Sequence, residues 1–122
     1  MNSDMEKALK LCRGSYQRDI ILGHANVSGS DLAGKAREYG ARYKNSRNAL
    51  FTRMENAKIN FCVDTSNKKH TLVFGEREVF LAKHGRTLRE KHPEIYTGLV
   101  NATKTGKKYK AVRALAELAL ET

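Results

Sequence analysis

The sequence predicts a mainly α-helical fold with one small β-hairpin, on three observations. Apolar residues recur at spacings of three and four through the first half of the chain and again at its end, as in helices with one buried stripe. Between these regions Ile59, Phe61 and Val63 alternate with Asn60, Cys62 and Asp64, the two-residue period of a strand. A polar turn, TSNKK, then leads into HTLVFG, which is rich in strand-favouring residues. The span from Ile59 to Gly75 therefore reads as a hairpin with Lys68, Lys69 and His70 near its tip.

Each element has its own justification. Ser3-Asp4-Met5-Glu6 has the S-x-x-E form of a capping box, so a first helix is expected to start there. Met5, Leu9, Cys12, Tyr16 and Ile20 give it one stripe up to Gly23, with Gly14 weakening its middle. Ser28-Gly29-Ser30-Asp31 offers the next cap, for a short second helix through Leu32, Ala36 and Tyr39 to Gly40. After a link over residues 41–44, the third helix reads NSRNALFTRMENA, with Leu50, Met54 and Ala57 on one face and Phe51 beside them. A single unbroken helix also fits the spacing from 32 to 57, since one Gly is tolerated at about 1 kcal/mol. The break is preferred because a polar stretch with Gly40 interrupts the stripe. Val79 to Ala82 fits strand or helix. Thr87-Leu88-Arg89-Glu90 reads as another cap, Pro93 suits a first helical turn and Gly106 a helix end. The final helix spans Lys108 to Glu121. Its arc of Tyr109, Val112, Leu115, Ala116, Leu118 and Ala119 is broad enough for two contacts. Residues 1–85 are thus expected to form the core domain, and 86–122 a helical extension that packs on it or pairs with a second copy.

Charge narrows the function. Lys+Arg number 23 against 13 Asp+Glu, a formal +10 over 122 residues, which favours a polyanionic partner because each neutralised phosphate releases counterions. The distribution is uneven: Lys104, Lys107, Lys108, Lys110 and Arg113 run without an acid among them, and Lys35, Arg37, Arg42, Lys44 and Arg47 have only Glu38. No apolar run approaches the roughly 20 residues of a membrane span, and MNSDMEKALK has no signal-peptide pattern. An intracellular, cytoplasmic protein is expected, nucleoid-associated if bacterial or phage.

Catalytic and cofactor readings find little. GSDLAGKA, Gly29 to Ala36, approximates the phosphate-loop pattern G-x-x-x-x-G-K-[ST], but Ala36 has no hydroxyl for magnesium and the preceding GHANVS is no apolar strand. Lys35 is therefore expected on an exposed helix face, binding no nucleotide. Cys12 and Cys62 lack any C-x-x-C partner, and His24, His70, His84 and His92 have no ligand spacing. No hydrolase or metalloprotease motif is present. The expectation is a non-enzyme with no cofactor and no metal.

The order helix, helix, turn, helix, then a hairpin with a basic tip resembles the winged helix-turn-helix superfamily over residues 16–75. ILGHANVSGSDLAGKA resembles the approach to its positioning helix, and KNSRNALFTRMENAKI its recognition helix running into the wing. The resemblance implies a winged helix-turn-helix followed by C-terminal helices, with double-stranded DNA as partner. The third helix would enter the major groove, where Asn45, Asn48 and Thr52, with Lys44 and Arg47 at its leading end, would meet bases. Arg53 would meet a phosphate or a surface acid, and Lys68, Lys69 and His70 the backbone or minor groove. Lys107 and Lys108 would extend the footprint, or serve only at helix ends. The competing readings are an RNA-binding module and a protein that blocks a nucleic-acid-handling assembly.

Overall fold

The computed structural model describes residues 2–27, 36–102 and 106–121, with side chains in the second stretch described from Arg42 onward. The chain divides into two compact units, Met1–Gly75 and Glu76–Thr122.

The first unit contains α1 (Ser3–Leu11), α2 (Ser15–Leu22), α3 (Ala36–Asn56), β1 (Phe61–Asp64) and β2 (Thr71–Phe74). Asn2, not Ser3, caps α1: its side-chain oxygen accepts from the Met5 amide at 2.9 Å. The single helix expected from Ser3 to Gly23 is two. Gly14 sits at φ 97°, ψ 170°, a region essentially open only to glycine, and the chain turns there between α1 and α2. The apolar period still runs across the break because Met5, Leu9, Cys12, Tyr16 and Ile20 all pack into one core. Gly23 ends α2 in the left-handed conformation, as expected, with the His24 amide donating to Asp19 O at 2.8 Å and that of Gly23 to Ile20 O at 3.3 Å.

No break occurs at Gly40. The preferred two-helix reading is corrected, since α3 is continuous from Ala36 to Asn56. One glycine costs a helix about 1 kcal/mol, whereas ending it orphans up to four carbonyls. The cap sought at Ser28 to Asp31, Leu32 and the phosphate-loop-like residues as far as Lys35 lie outside the described residues. Lys58 closes α3 at φ 57°, with Ile59 N bonded to Met54 O (3.1 Å) and Lys58 N to Glu55 O (3.0 Å), a Schellman pair made without glycine. Ala57, placed on the buried face by spacing, is exposed just beyond the helix.

The expected hairpin is present: β1 and β2 pair antiparallel from Phe61 opposite Phe74 to Asp64 opposite Thr71. Its base is tied to α1, because Asn2 donates to Phe74 O (3.1 Å) and Asp4 accepts from the Asn60 amide (3.3 Å). Ile20, Ile21, Leu50, Met54, Ile59 and Phe74 form the buried centre of this unit.

The second unit is three-helical, with α4 (Glu76–Lys91), α5 (Pro93–Asn101) and α6 (Lys107–Leu120). Val79 to Ala82 is helical. Thr87 to Glu90 lies inside α4 and caps nothing, and the division expected after residue 85 would cut that helix. Glu76 and Glu78 in its first turn and Arg89 and Lys91 in its last complement the macrodipole. Pro93 opens α5 as expected, while Gly106 proves to be the N-cap of α6 rather than a helix end. Phe80, Leu88, Leu99, Tyr109 and Ala116 form the core. Close packing of α5 on α6 needs Gly98, since a Cβ there would lie 3.2 Å from Val112 Cγ1. Arg113 lies 4.9 Å over the Phe80 ring and pairs with Glu76 and Glu117. Among the described residues no helix is long and apolar enough to cross a membrane.

Candidate nucleic-acid interface

The orientation of α3 is fixed by what its inner face holds. Leu50 and Met54 are fully buried. One turn toward the N-terminus, Ser46 receives Gln17 Nε2 on both its carbonyl (3.0 Å) and its hydroxyl (3.1 Å). Tyr43 packs edge-on against Tyr16, with ring centroids 4.5 Å apart. These contacts lock α2 to α3 along a common seam.

With that face committed, Arg42, Lys44, Asn45, Asn48, Thr52 and Asn56 are all exposed. Asn45, Asn48, Thr52 and Asn56 follow one another at steps of three and four, so they lie on one strip directly opposite Leu50 and Met54. From Asn45 to Thr52 the strip rises about 10 Å at 1.5 Å per residue, the length of roughly three stacked base pairs. Glu55 is exposed toward the C-terminal end, so positive charge gathers at the leading end of the strip through Arg42 and Lys44.

The arginines behave differently from the expectation. Arg47 is half-buried and donates from Nη1 to the Tyr16 hydroxyl at 2.9 Å. Arg53 is also half-buried; its Nε donates to Leu11 O at 3.1 Å and its Nη2 to Gln17 Oε1. Gln17, 4 % exposed, also accepts from the Arg13 amide at 2.7 Å, so α2, α3 and the link after α1 converge on one side chain. Arg47 and Arg53 thus hold the unit together, and the outward strip is neutral and amide-rich.

The loop between β1 and β2 is shaped from both sides. Asp64 accepts from the Ser66 amide (2.9 Å) and hydroxyl (2.6 Å), and these bonds, the hydroxyl's first, hold its carboxyl below the ordinary carboxylate pKa. On the other side Asn26 Nδ2 donates to Lys68 O (3.2 Å) and the Val27 amide to His70 O (2.9 Å). The segment after α2 therefore pins the loop backbone while the Lys68 and Lys69 side chains stay exposed; His70 is half-buried. Lys107 and Lys108 are exposed at the start of α6, in the second unit.

Several contributors escape a reading of the sequence. Asn56 continues the step from Thr52, and extending that period one turn would have found it. Arg42 was visible only as a member of a charge run. Gln17 and Asn26 gave no signal, since polar residues of their type are mostly exposed. Cys12 and Cys62 are both half-buried, and burial raises the pKa of Cys12. Among the described residues no group of three or more His, Cys, Asp and Glu could hold a metal ion. No protein-family model, no curated protein and no solved structure matches this chain.

Proposed function

We propose that this chain is a small basic DNA-binding protein, a transcriptional regulator or architectural factor, that lays the outer strip of α3 in the major groove and rests the β1–β2 loop on the backbone. The carrying observation is the strip itself: Asn45, Asn48, Thr52 and Asn56 exposed in one line, opposite a face anchored by Leu50 and Met54. Asparagine matches adenine, donating to N7 and accepting from N6, whereas guanine is read chiefly by arginine. Because Arg47 and Arg53 are engaged inside the unit, the strip favours adenine-containing sites. Lys44 and Arg42 would meet phosphates at the leading end, and Lys68 and Lys69 at the wing. The winged helix-turn-helix reading belongs to this proposal. Its support is the succession α2, α3, hairpin and the tether from Asn26 and Val27 to the loop. An intracellular, non-enzymatic role follows, with a second copy as the other expected partner.

The test selects a preferred duplex from a random pool and compares variants on it and on scrambled DNA across a salt series. Asn48→Ala should weaken the preferred duplex by about 1 to 3 kcal/mol and leave scrambled DNA nearly unchanged. Lys68→Ala with Lys69→Ala should weaken all duplexes and flatten the salt slope by about 0.9 for each phosphate that is no longer neutralised. Enrichment of no sequence, with Asn48→Ala acting equally everywhere, refutes base readout. Absence of any effect from either variant refutes the docking.

A further inference from the structure

We infer that α6 is a self-pairing helix that joins two copies of this chain antiparallel. Ala111, Ala114, Leu115 and Leu118 follow at i, i+3, i+4 and i+7 on the side of α6 away from the buried Tyr109 and Ala116. Leu115 is 57 % and Leu118 62 % exposed, the two most exposed large apolar residues described.

Charge identifies the occupant of this stripe. Helices α1 and α4 carry acids in the first turn and bases in the last, as the macrodipole favours. Helix α6 has no acid in its first turn and no base in its last: Lys107, Lys108 and Lys110 stand at its start, Glu117 and Glu121 toward its end. This order is unfavourable within one helix and complementary between two antiparallel copies. Lys107, Lys110, Glu117 and Glu121 lie along one flank of the stripe, and in a two-fold pair that flank meets itself. With the axis between residues 114 and 115, Ala111 lies against Leu118 of the second copy and Ala114 against Leu115, so small meets large in each layer. In that register Glu121 of the second copy lies one residue from the level of Lys107 and Glu117 two residues from that of Lys110, offsets of about 1.5 and 3 Å that these long side chains span; Glu117 also holds its own Arg113 at 3.1 Å. A 14-residue helix is about 21 Å long, too short to cover the roughly 800 Å² per partner of a standard interface. The association is accordingly weak and concentration-dependent.

Sedimentation of the full chain from about 10 µM to 1 mM tests this, with circular dichroism to confirm that each variant is folded. The wild type should shift reversibly from monomer toward dimer, and Leu115→Glu with Leu118→Glu should remain monomeric. Lys107→Glu and Glu121→Lys should each weaken association about tenfold alone, and an equimolar mixture of the two should recover it, because the swapped charges meet across the pair. The inference is overturned if the wild type is monomeric at 1 mM, if the double Leu variant still associates, or if the mixture behaves like its components. A loss of duplex binding in Lys107→Glu with a monomeric wild type would instead assign the start of α6 to phosphate.

Discussion

Arg53 separates two accounts of the same charge. On sequence grounds it faces a phosphate or a surface acid; in the structure it joins Leu11 O at the end of α1 to Gln17 Oε1 on α2. Replacing Arg53 by Ala removes both bonds. Bonds from a charged donor contribute about 1.5 to 3 kcal/mol each. Gln17 Oε1 keeps the Arg13 amide, however, and Leu11 O ends a helix that water can reach, so the expected loss is about 2 to 3 kcal/mol in total, well short of twice the single-bond value. With a urea m-value of about 1 to 3 kcal/mol/M, the midpoint should fall by roughly 0.7 to 3 M. Hydrogen exchange localises the effect: amides of α1, α2 and α3 should lose protection, and those of α4 to α6 should not. Arg53→Lys keeps the charge but cannot span both acceptors, and should restore less than half of the loss. A phosphate role predicts the reverse, an unchanged midpoint and a salt slope of DNA binding flatter by about 0.9. A midpoint within about 0.3 M of wild type, below the smallest shift expected, would refute the structural role.

Other consequences follow from single residues. Lys58→Gly should stabilise the first unit by about 1 kcal/mol in urea unfolding, since the left-handed conformation at φ 57° is strained for lysine and free for glycine. Tyr109→Phe should leave stability unchanged or raise it by up to about 1 kcal/mol in thermal unfolding, because the Tyr109 hydroxyl is buried near the Arg113 guanidinium without a hydrogen bond of normal geometry. The Asp64 carboxyl is held below its ordinary 3.8 by Ser66, so its contribution to the loop is complete above that pH and is lost as pH falls through the lower, folded value. Ser66→Ala should raise the Asp64 pKa toward 3.8 in an NMR titration, and an unchanged value would refute the assignment of cause.

What was legible in the sequence and what was not divides along physical lines. Periodicity reports which side of an element is apolar, and it located the hairpin, the buried face of α3 and the extent of α6. It is insensitive to a kink that leaves the same side chains in the same core, which is why the stripe from Met5 to Ile20 concealed the turn at Gly14. Glycine alone does not separate the cases. Gly14 sits where positive φ turns the chain, while Gly40 lies within a helix that continues past it, its later turns anchored by Leu50 and Met54. Whether a glycine breaks a helix is decided by the packing beyond it, information held in residues ten or more positions away.

The candidate site shows the same division. Its outward strip was legible, because exposure on α3 is the complement of the apolar face and Asn45, Asn48 and Thr52 follow from Leu50 and Met54 by geometry. The roles of Arg47 and Arg53 were not. A guanidinium on the edge of a helix can turn out to solvent or inward to a neighbouring helix, and the choice depends on an acceptor distant in sequence: Tyr16 for Arg47, Leu11 and Gln17 for Arg53. Removing these two arginines from the outward face changes the chemistry offered to a partner. The strip loses its guanidinium groups and keeps its amides, while its positive charge comes from Arg42 and Lys44 at one end. Under the proposed DNA-binding function, sequence preference and electrostatic attraction fall to different residues of α3, so a substitution at Asn48 and one at Lys44 should differ in kind: the first should alter which duplex is preferred, the second how steeply any duplex responds to salt.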